Sequence, residues 1–171
     1  MRKTSVLVSV SVFVLAIATS ATAQIKFSGS QNCAKPDPSY SIPVGDRGDH
    51  VISLSKDRCT WTRGEIAGIA LKTDTDTIVS EDVSDTISND RGYAVTLLAN
   101  GDTINVQLEG VTTLKNGAPL TGRGTWTFMG GSGKMKGITG KGTYDGKYGR
   151  DGTATFAVQG EYRLAPAARG K

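Results

Sequence analysis

The segment Gly130-Gly131-Ser132-Gly133-Lys134 contains the residue types that bind phosphate, because a glycine-rich backbone and a lysine together offer N–H donors and a positive charge. A Walker A loop has Ser or Thr directly after the lysine, whereas Met135 follows Lys134 here. We therefore predict a structural turn with one turn of helix that plugs an end of the fold.

His50 is the only histidine, so a Ser-His-Asp triad would need it as the base, and the chain has no Gly-x-Ser-x-Gly segment. One histidine and two cysteines that pair with each other do not make a conventional zinc site. The sequence therefore assigns no catalytic residue, no metal site and no cofactor, and we expect His50 to be structural or solvated.

Acidic residues are concentrated between positions 74 and 90, interleaved with Thr and Ser. Closely spaced carboxylates can bind Ca²⁺, but the Asp-x-Asp-x-Asp-Gly loop with a distal Glu is absent. We predict instead a solvated strand pair whose outward side chains are acidic, namely Asp74, Asp76, Glu81, Asp82, Asp85 and Asp90.

Glu109 and Glu161 are the other carboxylates that could act as a pair, as a glycosidase requires. Each shares its strand face with polar neighbours, while Val106 and Val158 lie on the opposite faces. If the apolar face is the inner one, both carboxylates point to water, which is the arrangement we expect.

Aromatic residues provide the best candidate for a binding site. In alternating strands they can line the lumen of a small β-barrel, which is wide enough either to be filled by side chains or to hold one small apolar ligand. Both outcomes stay open for the lumen candidates Trp61, Tyr93, Trp126, Phe128, Phe156 and Tyr162.

Residues 1–23 are typical of a cleaved signal peptide. Arg2 and Lys3 precede an apolar run from Val6 to Ala18, and Ala21-Thr22-Ala23 is a signal peptidase motif. The run is too short for a membrane span of about twenty residues, so we favour cleavage before Gln24 over an uncleaved anchor. The sequence predicts a periplasmic or secreted protein with no stable membrane span.

The net charge of +4 is partly due to Arg2 and Lys3 in the signal peptide, so nucleic acid is not an expected partner.

Cys33 and Cys59 are the only cysteines. An even number in an oxidising compartment predicts one disulfide, with two free thiols as the alternative. This bridge would tie the N-terminal segment to the rest of the domain.

After the signal peptide, residues 24–48 contain three prolines and are predicted to be a coil with one short strand near Ile25–Phe27. Residues 49–164 hold no helical periodicity but many Thr, Val, Ile and aromatic runs between glycine-bearing turns, which predicts strands. The tail, residues 165–171, should be loose.

Four turns are predicted along this β region. Asn100-Gly101 and Asn116-Gly117 are typical of two-residue type I′ hairpins, and residues 145–152 and 89–92 would form two further connections. Such a series of hairpins predicts an all-β, antiparallel up-and-down barrel of about eight strands. Glycines inside the strands, such as Gly142 and Gly160, indicate bends or places where a bulky side chain crosses the wall.

The segment from Gly124 to Tyr144, with its Gly-Gly-Ser-Gly-Lys-Met loop and Gly140-Lys141-Gly142, resembles the allene oxide cyclase barrel-like superfamily, which is related to dirigent proteins. Arg91-Gly92-Tyr93 and Gly160-Glu161-Tyr162 extend the resemblance to small secreted bacterial members without assigned activity. The resemblance implies an eight-stranded, calycin-like barrel with a central cavity over most of residues 50–164, but no catalytic position carries over.

Three functions follow as hypotheses. The first is non-enzymatic binding of a small apolar ligand or a partner surface. The second is an isomerase-like or cyclase-like enzyme that confines a reactive substrate in the barrel. The third is a structural or inhibitory module of the cell envelope. The sequence predicts no particular oligomeric state.

Overall fold

The computed structural model describes residues 24–48, 50–82 and 84–166. The predicted signal peptide and the end of the predicted tail lie outside these described residues. Within them the chain is all-β, as predicted, with a single turn of 3-10 helix at Gly133–Met135. Its strands are β1 (Ile25–Cys33), β2 (Ser39–Pro43), β3 (Val51–Arg63), β4 (Glu65–Ile66), β5 (Ile69–Asp82), β6 (Ile87–Leu98), β7 (Thr103–Lys115), β8 (Ala118–Gly131), β9 (Thr139–Tyr148) and β10 (Ala154–Arg163).

Eight of these strands form a closed antiparallel barrel. From β5 to β10, consecutive strands pair with each other. β10 then pairs with β1, and β1 pairs with β3. The pairing of β3 with β5, from Ile52↔Glu81 to Thr60↔Thr73, closes the ring. The up-and-down barrel of about eight strands is therefore confirmed, and β2 and β4 are additions to it.

The N-terminal segment is more regular than the predicted coil. β1 spans nine residues and fills the gap between β10 and β3, while β2 pairs with the first half of β3 from Ser39↔Ser55 to Pro43↔Val51. The coil prediction is wrong here because the prolines fall at the margins of these strands and leave β1 free of them. Pro43 ends β2, a strand that pairs on one side only, where a missing N–H is tolerated.

The predicted disulfide is present between Cys33 of β1 and Cys59 of β3, which face each other in the ladder. Both are buried, with 7% and 2% of their surface exposed, and both point into the barrel. The bridge therefore joins the N-terminal strand to its neighbour in the wall. Among the described residues, no helix is long and apolar enough to cross a membrane.

The two Asn-Gly turns differ. Asn116 and Gly117 both have positive φ (53° and 73°) and join the pair Lys115↔Ala118, as a type I′ hairpin requires. At the other turn only Gly101 has positive φ, and the N–H of Leu98 donates to the carbonyl of Asp102 over 2.9 Å. A type I′ turn is therefore wrong there, because the loop has three residues with glycine in the last position.

Two predicted connections are misplaced. Residues 89–92 lie inside β6 rather than in a turn, since Asp90 pairs with Ser80 and Gly110 on either side. Residues 145–148 belong to β9, so the connection to β10 begins only at Gly149. In both cases polar and glycine residues that are typical of turns lie in long strands whose ladders satisfy their backbone groups.

The barrel has one apolar, closed end. Leu98 and Ile104 from β6 and β7 pack there with Ile66 of β4, Met135 of the 3-10 turn and Ile138 just after it, all with at most 1% exposure. The glycine-rich loop is thus the predicted plug. Its anion-binding capacity is used internally, since the N–H of Lys134 donates to Oδ2 of Asp102 over 2.9 Å.

Glycines in β9 and β10 allow a tryptophan to lie against the inner wall. A Cβ atom at Gly142 or Gly160 would lie 2.6 or 2.5 Å from the indole ring of Trp126, closer than real atoms approach. The prediction that strand glycines mark places crossed by bulky neighbours is confirmed here. The indole Nε1–H of Trp126 donates to the carbonyl of Gln159 over 3.2 Å, which fixes the ring.

Candidate functional site

Above the apolar plug, the lumen contains a partly enclosed cavity of about 120 Å³. Its walls combine aromatic and aliphatic side chains with carboxyl groups, and Cys33 of the disulfide also borders it. The polar residues that line it are Gln31, Asp57, Asp74, Asp76, Asp90, Thr96, Thr112, Tyr144 and Tyr148.

Four of the six predicted lumen residues line this cavity, namely Trp61, Trp126, Phe128 and Phe156. Tyr162 is buried in the apolar core, where its hydroxyl accepts a hydrogen bond from the N–H of Ala67 over 2.9 Å.

The prediction for Tyr93 is wrong, because this residue points to solvent with 63% of its surface exposed. Register explains the error. Ala94 pairs with the inward-facing Val106, which turns the adjacent Tyr93 outward.

The largest correction concerns the acidic residues of β5. Asp74 and Asp76 were expected to be solvated but are buried, with 6% and 7% exposure. They alternate with exposed Thr73, Thr75 and Thr77, so every threonine faces water and every aspartate faces the lumen. The usual preference of carboxylates for the surface is reversed here, which marks a functional-site candidate.

A signal for this arrangement was present in the sequence. Ile78 has the same strand parity as Asp74 and Asp76, so the three side chains share one face if the strand is regular. That face is the inner one, since Ile78 also lines the cavity. Because aspartate side chains usually lie at the surface, one apolar residue on the same face is too weak a signal to predict their burial.

Asp74 is well supplied with donors. The indole Nε1–H of Trp61 donates to its Oδ1 over 2.9 Å, and Thr96 forms a second side-chain hydrogen bond. Burial raises the pKa of Asp74 to about 6, and these two hydrogen bonds oppose the shift by stabilising the carboxylate. Asp74 therefore titrates close to neutral pH.

Asp76 lacks comparable support. Its Oδ1 is buried without a hydrogen-bond partner. Its Oδ2 lies 3.8 Å from Sγ of Cys59, a disulfide sulfur that has no proton to donate. Burial, with the charges of Asp74 and Asp57, raises the pKa of Asp76 well above its usual range. The group is thus neutral at a pH where most aspartates are charged, and only then can it donate to the sulfur.

Two further carboxyl groups border the cavity from other strands. Asp57 of β3 pairs with Asp76 and accepts a hydrogen bond from Oγ of Ser55 over 3.0 Å. Asp90 of β6 accepts one from Oγ1 of Thr112 over 2.6 Å. Burial raises the pKa of both carboxyl groups, and the two hydrogen bonds oppose that effect.

Two tyrosines of β9 complete this polar half of the lumen. Burial raises the pKa of both hydroxyls, Tyr144 the more strongly, with a contribution from the charge of Asp90. Both remain neutral donors across the physiological range. Their rings pack edge-on against Phe156, each with centroids 5.8 Å apart, so the aromatic wall is continuous with the hydroxyl groups.

The remaining candidate residues lie elsewhere. His50 is outside the cavity, with Nδ1 2.7 Å from Asp46 and Nε2 3.3 Å from Glu81, and links the β2–β3 connection to β5. Glu109 and Glu161 lie on the outer surface, as expected, and Glu161 pairs with Lys26 over 3.4 Å. Among the described residues, no group of three or more His, Cys, Asp or Glu side chains is arranged to hold a metal ion.

The fold and this cavity define a small, closed, antiparallel β-barrel with an acidic and aromatic lumen. Sequence comparison adds no closer relationship: no protein-family model matches the chain, and no curated protein is a significant match.

Proposed function

We propose that this protein binds a small molecule in the lumen of its barrel. The observation that carries the proposal is the cavity itself, a space of about 120 Å³ between aromatic rings in which a buried acceptor, Oδ1 of Asp76, has no partner. An apolar cavity of about 150 Å³ holds benzene. A ligand close to the size of benzene fits this volume, and a slightly longer one can extend through the open side of the partly enclosed cavity.

We propose further that binding takes place outside the cytoplasm. The predicted signal peptide at residues 1–23 and the Cys33–Cys59 bridge both support export, since disulfides persist in oxidising compartments. The test is the intact mass of protein recovered from the periplasm or medium. A chain beginning at Gln24 is expected, and a full-length chain recovered from the cytoplasm contradicts this.

The resemblance to the allene oxide cyclase barrel-like superfamily is consistent with a ligand inside the barrel, and we propose membership on the loop and glycine motifs described above. An isomerase-like or cyclase-like activity is the second candidate function. It is favoured by one observation, the position of Asp74 in the cavity with a pKa of about 6, which suits a general acid or base at neutral pH.

Native mass spectrometry of protein purified without denaturation tests the binding proposal. A retained small molecule that is released under denaturing conditions is the expected result. Thermal shift across a library of compact aromatic, aliphatic and amine compounds provides an independent measure, since a ligand that binds only the folded state raises Tm. No retained mass and no shift for any compound would overturn the proposal.

A further inference from the structure

We propose that the ligand of the lumen is a small organic cation, a primary ammonium compound with a short apolar group. This inference rests on the proposed binding function and specifies its chemistry. It is carried by buried acceptors without donors, by the sign of the charge in the cavity, and by the aromatic walls.

Two buried acceptors in the cavity wall lack a hydrogen-bond donor. Oδ1 of Asp76 and Oε1 of Gln31 have no partner, although these residues are only 7% and 8% exposed. A buried acceptor left unpaired costs about 1–3 kcal/mol, so the structure favours an occupant that supplies N–H donors. An ammonium group has three donors and no acceptor, which matches this set of oxygens.

The carboxyl groups of the cavity also favour a cationic ligand. Aspartates from three strands line it, and none of the described lining residues is Lys, Arg or His. Asp74 and Asp76 are two positions apart on one face of β5, and Asp57 is opposite Asp76. An anion would meet these carboxyl groups with no compensating charge, whereas a cation would relieve their repulsion.

The size and lining of the cavity argue for an organic rather than an inorganic cation. The metal-ligating side chains of the described residues do not converge on one point. The indole ring of Trp61 lies beside Asp74, which accepts its Nε1–H. On β8, across the barrel, the rings of Trp126 and Phe128 are tilted by 36° with their centroids 4.5 Å apart. Such rings accommodate an apolar group and also attract a cation over their faces.

The decisive comparison uses probes that differ only in charge. Isobutylamine and benzylamine are protonated at pH 7.5, and isobutanol and benzyl alcohol are their neutral counterparts of nearly equal shape. Isothermal titration calorimetry should show each amine binding at least tenfold more tightly than its alcohol. Fluorescence of Trp61, read as the difference between the protein and Trp61→Phe, should change on amine binding, because its indole N–H contacts Asp74.

Substitutions inside and outside the lumen test where the amine binds. Asp76→Asn and Asp74→Asn preserve side-chain shape and should each weaken amine binding at least tenfold while changing alcohol binding less than threefold. Asp145→Asn removes an exposed carboxylate from the outer face of β9 and should leave both unchanged. Circular dichroism establishes that each variant is folded. If Asp74→Asn does not fold, Asp76→Asn and the probe comparison on the unaltered protein still test whether amines bind to the carboxyl groups of the lumen.

The outcomes separate this inference from the proposed function. Alcohols binding as tightly as amines would overturn the inference and leave a neutral-ligand lumen intact. Amine binding that survives both lumen substitutions, or is lost equally in Asp145→Asn, would place any cation on the outer surface and also overturn it. Failure of all four probes overturns it as well, and a neutral molecule retained in native mass spectrometry would then still support the proposed function.

Discussion

The carboxyl groups of Asp74 and Asp76 are held by one strand yet differ in their surroundings. Asp74 receives an indole and a hydroxyl hydrogen bond, whereas one oxygen of Asp76 has no partner and the other faces a disulfide sulfur. The donors around Asp74 stabilise its carboxylate, whereas Asp76 has no such donor and holds its proton more readily. A cationic ligand that donates to Oδ1 of Asp76 would supply the missing partner.

The first prediction is that stability falls as pH rises above about 4. Asp74 and Asp76 hold their protons more tightly in the folded chain, so the stabilisation is complete below the pKa of the unfolded groups. It is lost as pH rises from there to the folded pKa, which is about 6 for Asp74 and is raised well above the usual range for Asp76. In urea unfolding at constant ionic strength, the shift of Asp74 alone should make the free energy of unfolding on the order of 2–3 kcal/mol lower at pH 7 than at pH 4, and Asp76 should add to this difference.

The other titratable groups that face Asp74 and Asp76 either lower the stability further between pH 4 and pH 7 or titrate outside that pH range. Asp57 and Asp90 have raised pKa values and add to the decline, while Tyr144 and Tyr148 titrate only in alkaline solution. Asp76→Asn should therefore raise stability at pH 7.5 but not at pH 4, and Asp145→Asn should do neither. Equal effects of Asp76→Asn at both pH values would contradict the assignment.

At the scale of the element, strand parity was the most informative part of the sequence, and it was also the source of the error at Tyr93. The alternation of Val106 and Leu108 with Gln107 and Glu109 correctly oriented β7. In β6 both faces carry apolar residues, so parity alone could not decide between Tyr93 and Ala94. Only the register with β7 resolves this, and register depends on long-range pairing that local patterns do not encode.

The acidic face of β5 was missed for a different physical reason. Burying a carboxylate is costly, so a sequence rule that places Asp outside is correct for most proteins. Here Trp61 and Thr96 supply donors to Asp74 from the neighbouring strands β3 and β6. Such compensation comes from residues that are distant in sequence, and is visible only once the barrel is closed.

The second prediction concerns the glycine at position 160 of β10. Gly160→Ala would bring a methyl group within 2.5 Å of the indole of Trp126, so ring or strand must shift. We expect a loss of about 1–3 kcal/mol, as for other overpacked cores. Thermal unfolding and the near-ultraviolet circular dichroism of the indole measure it. Gly48→Ala, where no atom lies within 4 Å of the added carbon, is the matched control and should be neutral. Similar Tm values for the two variants would refute the close packing.

The third prediction concerns the bridge between β1 and β3. Cys33 and Cys59 are separated by 26 positions, and on the chain-entropy model a bridge over such a loop stabilises the fold by about 3–4 kcal/mol. Replacing both with Ala should lower the free energy of unfolding by a similar amount. β1 should lose hydrogen-exchange protection first, since it closes the ring against β10. Uniform loss of protection across all strands would argue against this local role.

On the scale of the whole molecule, the barrel divides into two halves with different tasks. The end closed by Ile66, Met135 and Ile138 is filled by apolar side chains, whereas the half lined by Asp57, Asp90 and the tyrosines is polar and partly open. The fold class, closure and disulfide followed from the sequence because they depend on strand periodicity and cysteine number. The chemistry of the lumen did not, because it depends on which residues meet across strands.

The fourth prediction tests whether the space in the lumen serves binding rather than packing. Ala94 of β6 is 4% exposed, borders the cavity and lies beside Asp76 in the ladder, so Ala94→Leu extends its side chain into the cavity. Filling an empty space adds apolar contacts, and the unfolding free energy should stay the same or rise by about 1 kcal/mol. Binding of the amine probes should fall at least tenfold, because the added atoms occupy their volume.

Ala157→Leu makes the same change on the outer face of β10, where the residue is exposed, and should alter neither property. Calorimetry for the probes and urea unfolding of the free protein measure the two effects separately. A stable Ala94→Leu barrel that binds amines as before would mean that they bind outside the lumen. A large loss of stability with retained binding would mean that this part of the lumen is already filled. Only the combination of retained stability and lost binding fits a barrel in which the closed half maintains the fold and the acidic half holds a ligand.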